Sequence, residues 1–505
     1  MNPENQDRKV VPRWRDFNTT VALGELQSAK SSHVPLEGLS EELILKRVAE
    51  WRRAKTIWHA ADLLNTTFFG EIRPEHAEAA QFVLDHSESS PDSLLRLAKR
   101  LTGRDPLLVV SDSSGAAPET IEQQIRFLRG RLRDEGLNPI VLTDLARLYV
   151  SIAKPHAAVR TMLSACRLAP ANRFVLRAAA RLFLHVKDHN LALRMLRSSP
   201  RTVVGDPWLT AAEVAVASAV RQPSAFAKEG FRVAENDSYS HYSRSELNSA
   251  LATLEMENGK TNKARKLFDA SLISPNENAL AQAEFARREL GLAVDERKLE
   301  VPRSFEANAY FCFNNQMWDD AVEHAEKWLN DQPFSTRPAV FASYVSTCLT
   351  EDYDKAKTVL HRSLAANPTS PLLINNLAFA LASSGDIKGA QNELKKIDLE
   401  STEDKYAVTL NGTHGMVLMR TGQIEAGHRY YLKAIRLAQK LKSRQYEVMA
   451  TAYLAREQRL AGFPDAAKTF ETARSIAGEA PPADTKRLLD RVEEVIYRQT
   501  RSHAL

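Results

Sequence analysis

The sequence predicts an all-α solenoid, built from stacked helical hairpins and preceded by a divergent helical region. Three observations predict it. Alanine, leucine, arginine and glutamate, all strong helix formers, dominate the chain. Apolar residues recur at three- and four-residue spacing, with small residues among them, as helices packed on helices require. The pattern also repeats: Ala158 and Ala192 are 34 residues apart, as are Ala356 and Ala390. At 505 residues the chain exceeds the usual size of one compact core, and a repeat array accommodates that length.

Residues 1–39 are polar and broken by prolines, which predicts an extended arm without a packed core of its own. Trp14, Phe17, Val21 and Leu23 give this arm apolar side chains with which to dock. A helix is expected over 40–64, with Ser40 as N-cap, Glu42 near its positive end and Trp51, Ile57 and Trp58 along it. Shorter helices follow at 74–84 and 92–101. The run 107–110 is the main strand-like exception, and 112–118 reads as a loop before a helix at 119–134. Residues 40–135 thus read as divergent helical hairpins that cap or extend the array.

The first clear repeat spans 138–170. Leu142, Leu145, Ala146 and Tyr149 share one helix face; Lys154 and Pro155 mark a turn; Ala158, Met162 and Ala165 share the face of a second helix, and Pro170 closes the unit. Small residues at Ala146 and Ala158 let the two helices approach, and larger neighbours fill the layer shared with the next unit. The pattern recurs over 172–200, 246–275, 304–333, 337–368, 370–397, 405–437 and 446–477, with a divergent pair over 206–237 carrying Trp208 and Phe226. This succession of large, small and aromatic positions resembles the tetratricopeptide repeat. The array is expected over 136–480, with 481–505 as a solvent-facing capping helix built on Leu488, Leu489, Val492, Val495 and Ile496.

No catalytic or metal-binding motif survives inspection. Cys166, Cys312 and Cys348 form no CxxC pair, which argues against a disulfide framework or a zinc site. Gly259-Lys260-Thr261 lacks the upstream glycine and strand of a phosphate-binding loop, and Ser151–Lys154 fits SxxK without its companion motifs. His185 and His189 are four apart, but His189 falls at a turn. No enzyme activity, metal or cofactor is therefore expected. The N-terminus lacks a secretory apolar core and no stretch is long enough to span a bilayer, so a cytoplasmic protein without membrane contact is expected.

Charge is unevenly distributed. Residues 126–201 carry fifteen basic and four acidic side chains, a net of +11 against +5 for the whole chain. In tetratricopeptide arrays the first helix of each unit lines the concave groove. The resemblance puts Arg147, Phe174, Arg177 and Arg181 on groove positions of the early units, a basic groove suited to carboxylates or phosphates. It puts Phe341, Asn375 and Phe379 on groove positions of the later units, where asparagine and aromatic side chains suit an extended peptide. A chaperone-type carboxylate clamp is not expected, because Phe341 and Thr413 stand where clamp residues are needed. A second basic stripe, Arg429, Lys433, Arg436 and Lys440, follows one helix face. The expected function is a bacterial-type scaffold that holds one or more proteins, including acidic segments, in its concave groove. The alternative is a regulatory partner of a nucleic-acid enzyme of the toxin or defence type, or direct nucleic-acid binding through 126–201.

Overall fold

The computed structural model describes residues 12–14, 37–66, 73–90, 92–102, 120–134, 136–198, 200–292, 294–398 and 404–497. Among them the regular elements are helical throughout, and no helix is long and apolar enough to cross a membrane. The chain divides into two compact units, Asn18–Gln123 and Met1–Phe17 with Gln124–Leu505. The unit boundary therefore falls near residue 123, and the first residues group with the array. The expected strand-like run at 107–110 and loop at 112–118 lie outside the described residues.

The smaller unit contains α1 (Glu37–Arg53), α2 (Ile57–Asn65), α3 (Pro74–Asp85) and α4 (Asp92–Leu101). The single helix expected over 40–64 is two helices, and Ser40 lies inside the first. The break has a local cause: Thr56 caps α2 by accepting the His59 N–H at 3.2 Å, while the His59 ring contacts the Ala54 carbonyl at 2.7 Å. Trp51, Leu63, Leu64, Ala79, Ala80 and Val83 form its core. His76 is buried there beside Thr66, and burial lowers its pKa.

The larger unit opens on α5 (Ile121–Asp134). Hairpins α6 (Pro139–Ser151) and α7 (Pro155–Leu168), then α8 (Arg173–His185) and α9 (His189–Arg197), follow. Next come α10 (Pro200–Val204), α11 (Pro207–Ala219) with α12 (Ala227–Glu235), α13 (His241–Glu257) with α14 (Thr261–Ser271), and α15 (Glu277–Leu290). The later half holds α16 (Phe305–Asn314) with α17 (Trp318–Asp331), α18 (Arg337–Tyr344) with α19 (Tyr353–Ala366), and α20 (Pro371–Ser383) with α21 (Ile387–Leu394). Then α22 (Asp404–Arg420) with α23 (Ile424–Lys440), α24 (Arg444–Leu460) with α25 (Ala466–Ala477), and α26 (Ala483–Tyr497) end it. Asparagine or aspartate caps many of these helices by accepting a backbone N–H, as at Asn138, Asn172, Asp206, Asn276 and Asp386.

One turn recurs inside the hairpins. A residue of positive φ ends the first helix: Ala153, Lys187, Gly259, Gln316, Gly385, Gly422 or Gly462. Its N–H bonds the carbonyl three residues back, and the next N–H bonds the carbonyl five back, as in Lys154 to Tyr149 and Asp386 to Leu381. Glycine also permits a close helix pair. A Cβ on Gly415 would stand 2.9 Å from the Gly427 carbonyl oxygen, and one on Gly427 would stand 2.6 Å from that of Gly415, so α22 and α23 meet backbone to backbone.

The array winds back on itself. Helix α6 touches α19, and Phe334 and Ala366 belong to the same buried core as Leu142, Ala146, Leu176 and Phe183. The arm docks as its apolar side chains suggest: Trp14 is 1% exposed in that core, against Phe334 with ring centroids 5.5 Å apart. At the other end, α26 does more than shield the last hairpin from solvent. It packs on α24 and reaches back to the π-helical segment Val345–Thr350, where Arg487 Nε donates to the Leu349 carbonyl at 3.1 Å and Tyr344 donates to Asp484 at 3.1 Å.

Candidate peptide-binding site

The early arginines face other parts of the array. Arg177 forms a two-pronged pair with Glu246, at 2.8 and 3.0 Å, and also donates to the Trp208 carbonyl. Arg147 donates to the Trp14 and Asp331 carbonyls at 3.2 and 3.1 Å. Arg181 lies over the Phe334 ring at 4.9 Å; burial and the neighbouring Arg337 and Arg13 lower its pKa to about 10, so it stays charged at neutral pH. Phe174 is half-buried against the same core. Acids from beyond the basic segment answer it: Asp206 pairs with Arg173, Glu213 with Arg197 and Glu246 with Arg177. The +11 excess of 126–201 is thus partly spent inside the fold. The stripe Arg429, Lys433, Arg436 and Lys440 stays exposed along α23.

Among the later residues, Asn375 and Phe379 come together and Phe341 goes elsewhere. Phe341 is 3% exposed, locked against Tyr310 and Phe313 with centroids 4.7 and 5.5 Å apart. Asn375 and Phe379 line a recess of about 100 Å³ bounded by α18 with its π segment, α20, α22, α23 and α24. Its walls are mostly apolar: Tyr344, Phe379, Val408, Tyr431, Met449 and Tyr453. Thr347, Asn376, Thr409 and Thr413 add hydroxyl and amide groups.

Each wall has a local origin. The π segment widens the end of α18, sets Thr347 and Cys348 at the recess and ends at Glu351, whose φ is 59°. Gly412 leaves room, since a Cβ there would come no nearer than 4.0 Å to Tyr431. Phe379 meets Tyr453 edge-on at 5.3 Å, and Arg456 lies over the Tyr453 ring at 4.4 Å. Behind them the buried Glu457 is held by Arg420 at 2.7 Å and Arg456 at 3.0 Å. Burial works against the Arg456 cation, yet Glu457 and the surrounding tyrosines outweigh it and raise its pKa. The π segment and Gly412 carry no helical-period signal that marks them as site residues, so periodicity alone did not single them out.

The chemistry of the recess is neutral. Burial raises the pKa of the Tyr344, Tyr431 and Tyr453 hydroxyls and of the Cys348 thiol, so all stay protonated near pH 7. A protonated, buried thiol is a poor nucleophile. Among the described residues no group of three or more His, Cys, Asp and Glu side chains is placed to hold a metal ion. One polar atom stands out: the Asn375 Oδ1 is buried without a hydrogen-bond donor, while its Nδ2 donates to Asn376 at 3.4 Å. An unsatisfied buried acceptor costs about 1–3 kcal/mol, which a ligand N–H would offset.

Residues 350–410 match the tetratricopeptide repeat family. This stretch covers α19 to the start of α22 and so includes one wall of the recess. Among solved structures, the crystal structure of yeast Tom70 is 12% identical, with 75% of this chain and 93% of that one covered at a TM-score of 0.31. The human IFIT1 dimer with m7Gppp-AAAA is also 12% identical, with 87% and 95% covered at a TM-score of 0.28. No curated protein matches the sequence. Superpositions this loose carry no argument about function. The repeat match over 350–410, the 34-residue spacing and the serial hairpins with their common turn make this an α-solenoid of the tetratricopeptide-repeat type.

Proposed function

We propose that this chain is a non-catalytic protein-interaction scaffold, and that the recess beside α20 takes a compact aliphatic side chain from an extended segment of a partner. The observation that carries this reading is Asn375. Its Oδ1 is an unanswered acceptor at the wall of a neutral, mostly apolar recess, which is what a peptide N–H beside an apolar anchor requires. Size sets the anchor: a cavity of about 150 Å³ holds benzene, so about 100 Å³ suits a branched aliphatic side chain better than an aromatic one. The absence of charge on the lining groups favours an apolar anchor over a carboxylate.

The test is a peptide-display selection on the full chain. Enriched peptides should share one aliphatic anchor. Gly412→Leu, which fills the recess from a position with space around it, should abolish their binding while leaving the melting temperature within a few degrees. Asn375→Ala should weaken binding about tenfold, equivalent to about 1.4 kcal/mol. Selected peptides that bind Gly412→Leu as well as wild type sink the proposal.

A further inference from the structure

The contact between the arm and the array has the form of a bound peptide. Arg13 Nε donates to Asn278 Oδ1 at 2.7 Å, and its Nη2 pairs with Glu306 at 2.7 Å. The Trp14 carbonyl accepts from Arg147 and Gln332, and the Trp14 ring is buried on Phe334. Two side-chain anchors and one backbone carbonyl are therefore read by residues 133 to 320 positions away in sequence. Residues 12–14 belong to no helix.

Each residue of this seat also has a partner within the array. Glu306 pairs with Arg337, and Asn278 donates to Glu246 at 3.2 Å. Arg147 and Gln332 both donate to the Asp331 carbonyl, and Phe334 contacts Arg181 and His185. None of these contacts involves the arm, so the seat has support of its own within the array. The fit is also imperfect. The indole N–H of Trp14 is buried without an acceptor, and Arg13 sits close enough to Arg181 to depress its pKa, which opposes arm binding. A seat with contacts of its own, which holds its occupant at less than full complementarity, is suited to exchange.

We infer that this seat is a recognition site for a peptide carrying arginine followed by tryptophan, filled in cis by Arg13 and Trp14, and that a partner protein bearing the same pair displaces the arm. It is separate from the recess beside α20, and neither proposal depends on the other.

The test uses the full chain and an acetylated peptide with the sequence of residues 8–19 as probe. In the double variant Arg13→Ala, Trp14→Ala the seat is vacant, and the labelled probe should bind at least tenfold more tightly than to wild type. A probe with both residues changed to alanine should not bind, and adding Glu306→Gln to the vacant variant should weaken binding at least fivefold. Equal binding to wild type and vacant variant, or undiminished binding of the altered probe, overturns the inference. A second measurement needs no variant. Saturating wild type with the probe should speed hydrogen exchange at the Arg13 and Trp14 amides of the chain, read on fragments that extend beyond residues 8–19 and so differ in mass from the probe. Unchanged exchange at saturation also overturns it.

Discussion

At the scale of single residues, the buried ion pairs show what charge counting sees and misses. Arg177 lies in a segment whose excess of positive charge is plain in the sequence. Its partner Glu246 lies 69 residues away, and no local pattern joins them. Arg177→Ala leaves Glu246, 1% exposed at its side chain, with only the amides of Asn276 and Asn278. The expected loss is about 3–5 kcal/mol in urea unfolding, and Arg177→Ala, Glu246→Gln should recover part of it. Burial, reinforced by Arg181, lowers the His185 pKa from 6.5 to about 4. The folded state thus holds His185 neutral while the unfolded chain takes up a proton below about pH 6.5. Stability is lost as pH falls from 6.5 towards 4, by on the order of 2–3 kcal/mol from this group, and not above 6.5. His185→Gln should flatten the urea midpoint between pH 7 and 5; an unchanged slope assigns the loss elsewhere.

At the scale of the element, the hairpin turn tests how the repeats are specified. Gly385 and Gly422 announce the turn in the sequence, because left-handed backbone favours glycine. Ala153, Lys187 and Gln316 adopt the same backbone with no such signal, held by the hydrogen bonds of the turn. Ala153→Gly, Lys187→Gly and Gln316→Gly should each raise stability by about 0.5–1 kcal/mol, the left-handed penalty less the added freedom of the unfolded chain. Gly385→Ala should cost about 1 kcal/mol through backbone strain alone, since space around that Cβ is open. Thermal melts decide both signs. The repeats were legible because period, small contact residues and spacing are local properties. The π segment was not, because one widened turn leaves the apolar period nearly intact.

At the scale of the molecule, the larger unit departs from a simple solenoid, whose repeats contact only their neighbours. Phe334, fully buried between Trp14, Arg181 and His185, joins the early hairpins to the middle of the array. Phe334→Ala should cost about 3–5 kcal/mol, and hydrogen-exchange protection should fall together over 139–197 and 331–366. Loss confined to the immediate neighbours of residue 334 shows instead that the hairpins open independently. None of this closure was legible in the sequence. Trp14 could be named as a side chain able to dock, but the place it docks is set by the curvature of the whole array.

The pairing of Arg13 with Glu306 spans 293 residues, and this has a consequence for synthesis. At 5–20 residues per second, Glu306 is joined to the chain about 15–60 s after Arg13. Throughout that interval the nascent chain carries an exposed tryptophan with no seat to enter. A segment made long before its seat waits for that seat to be completed, which leaves a window for chaperone capture during translation.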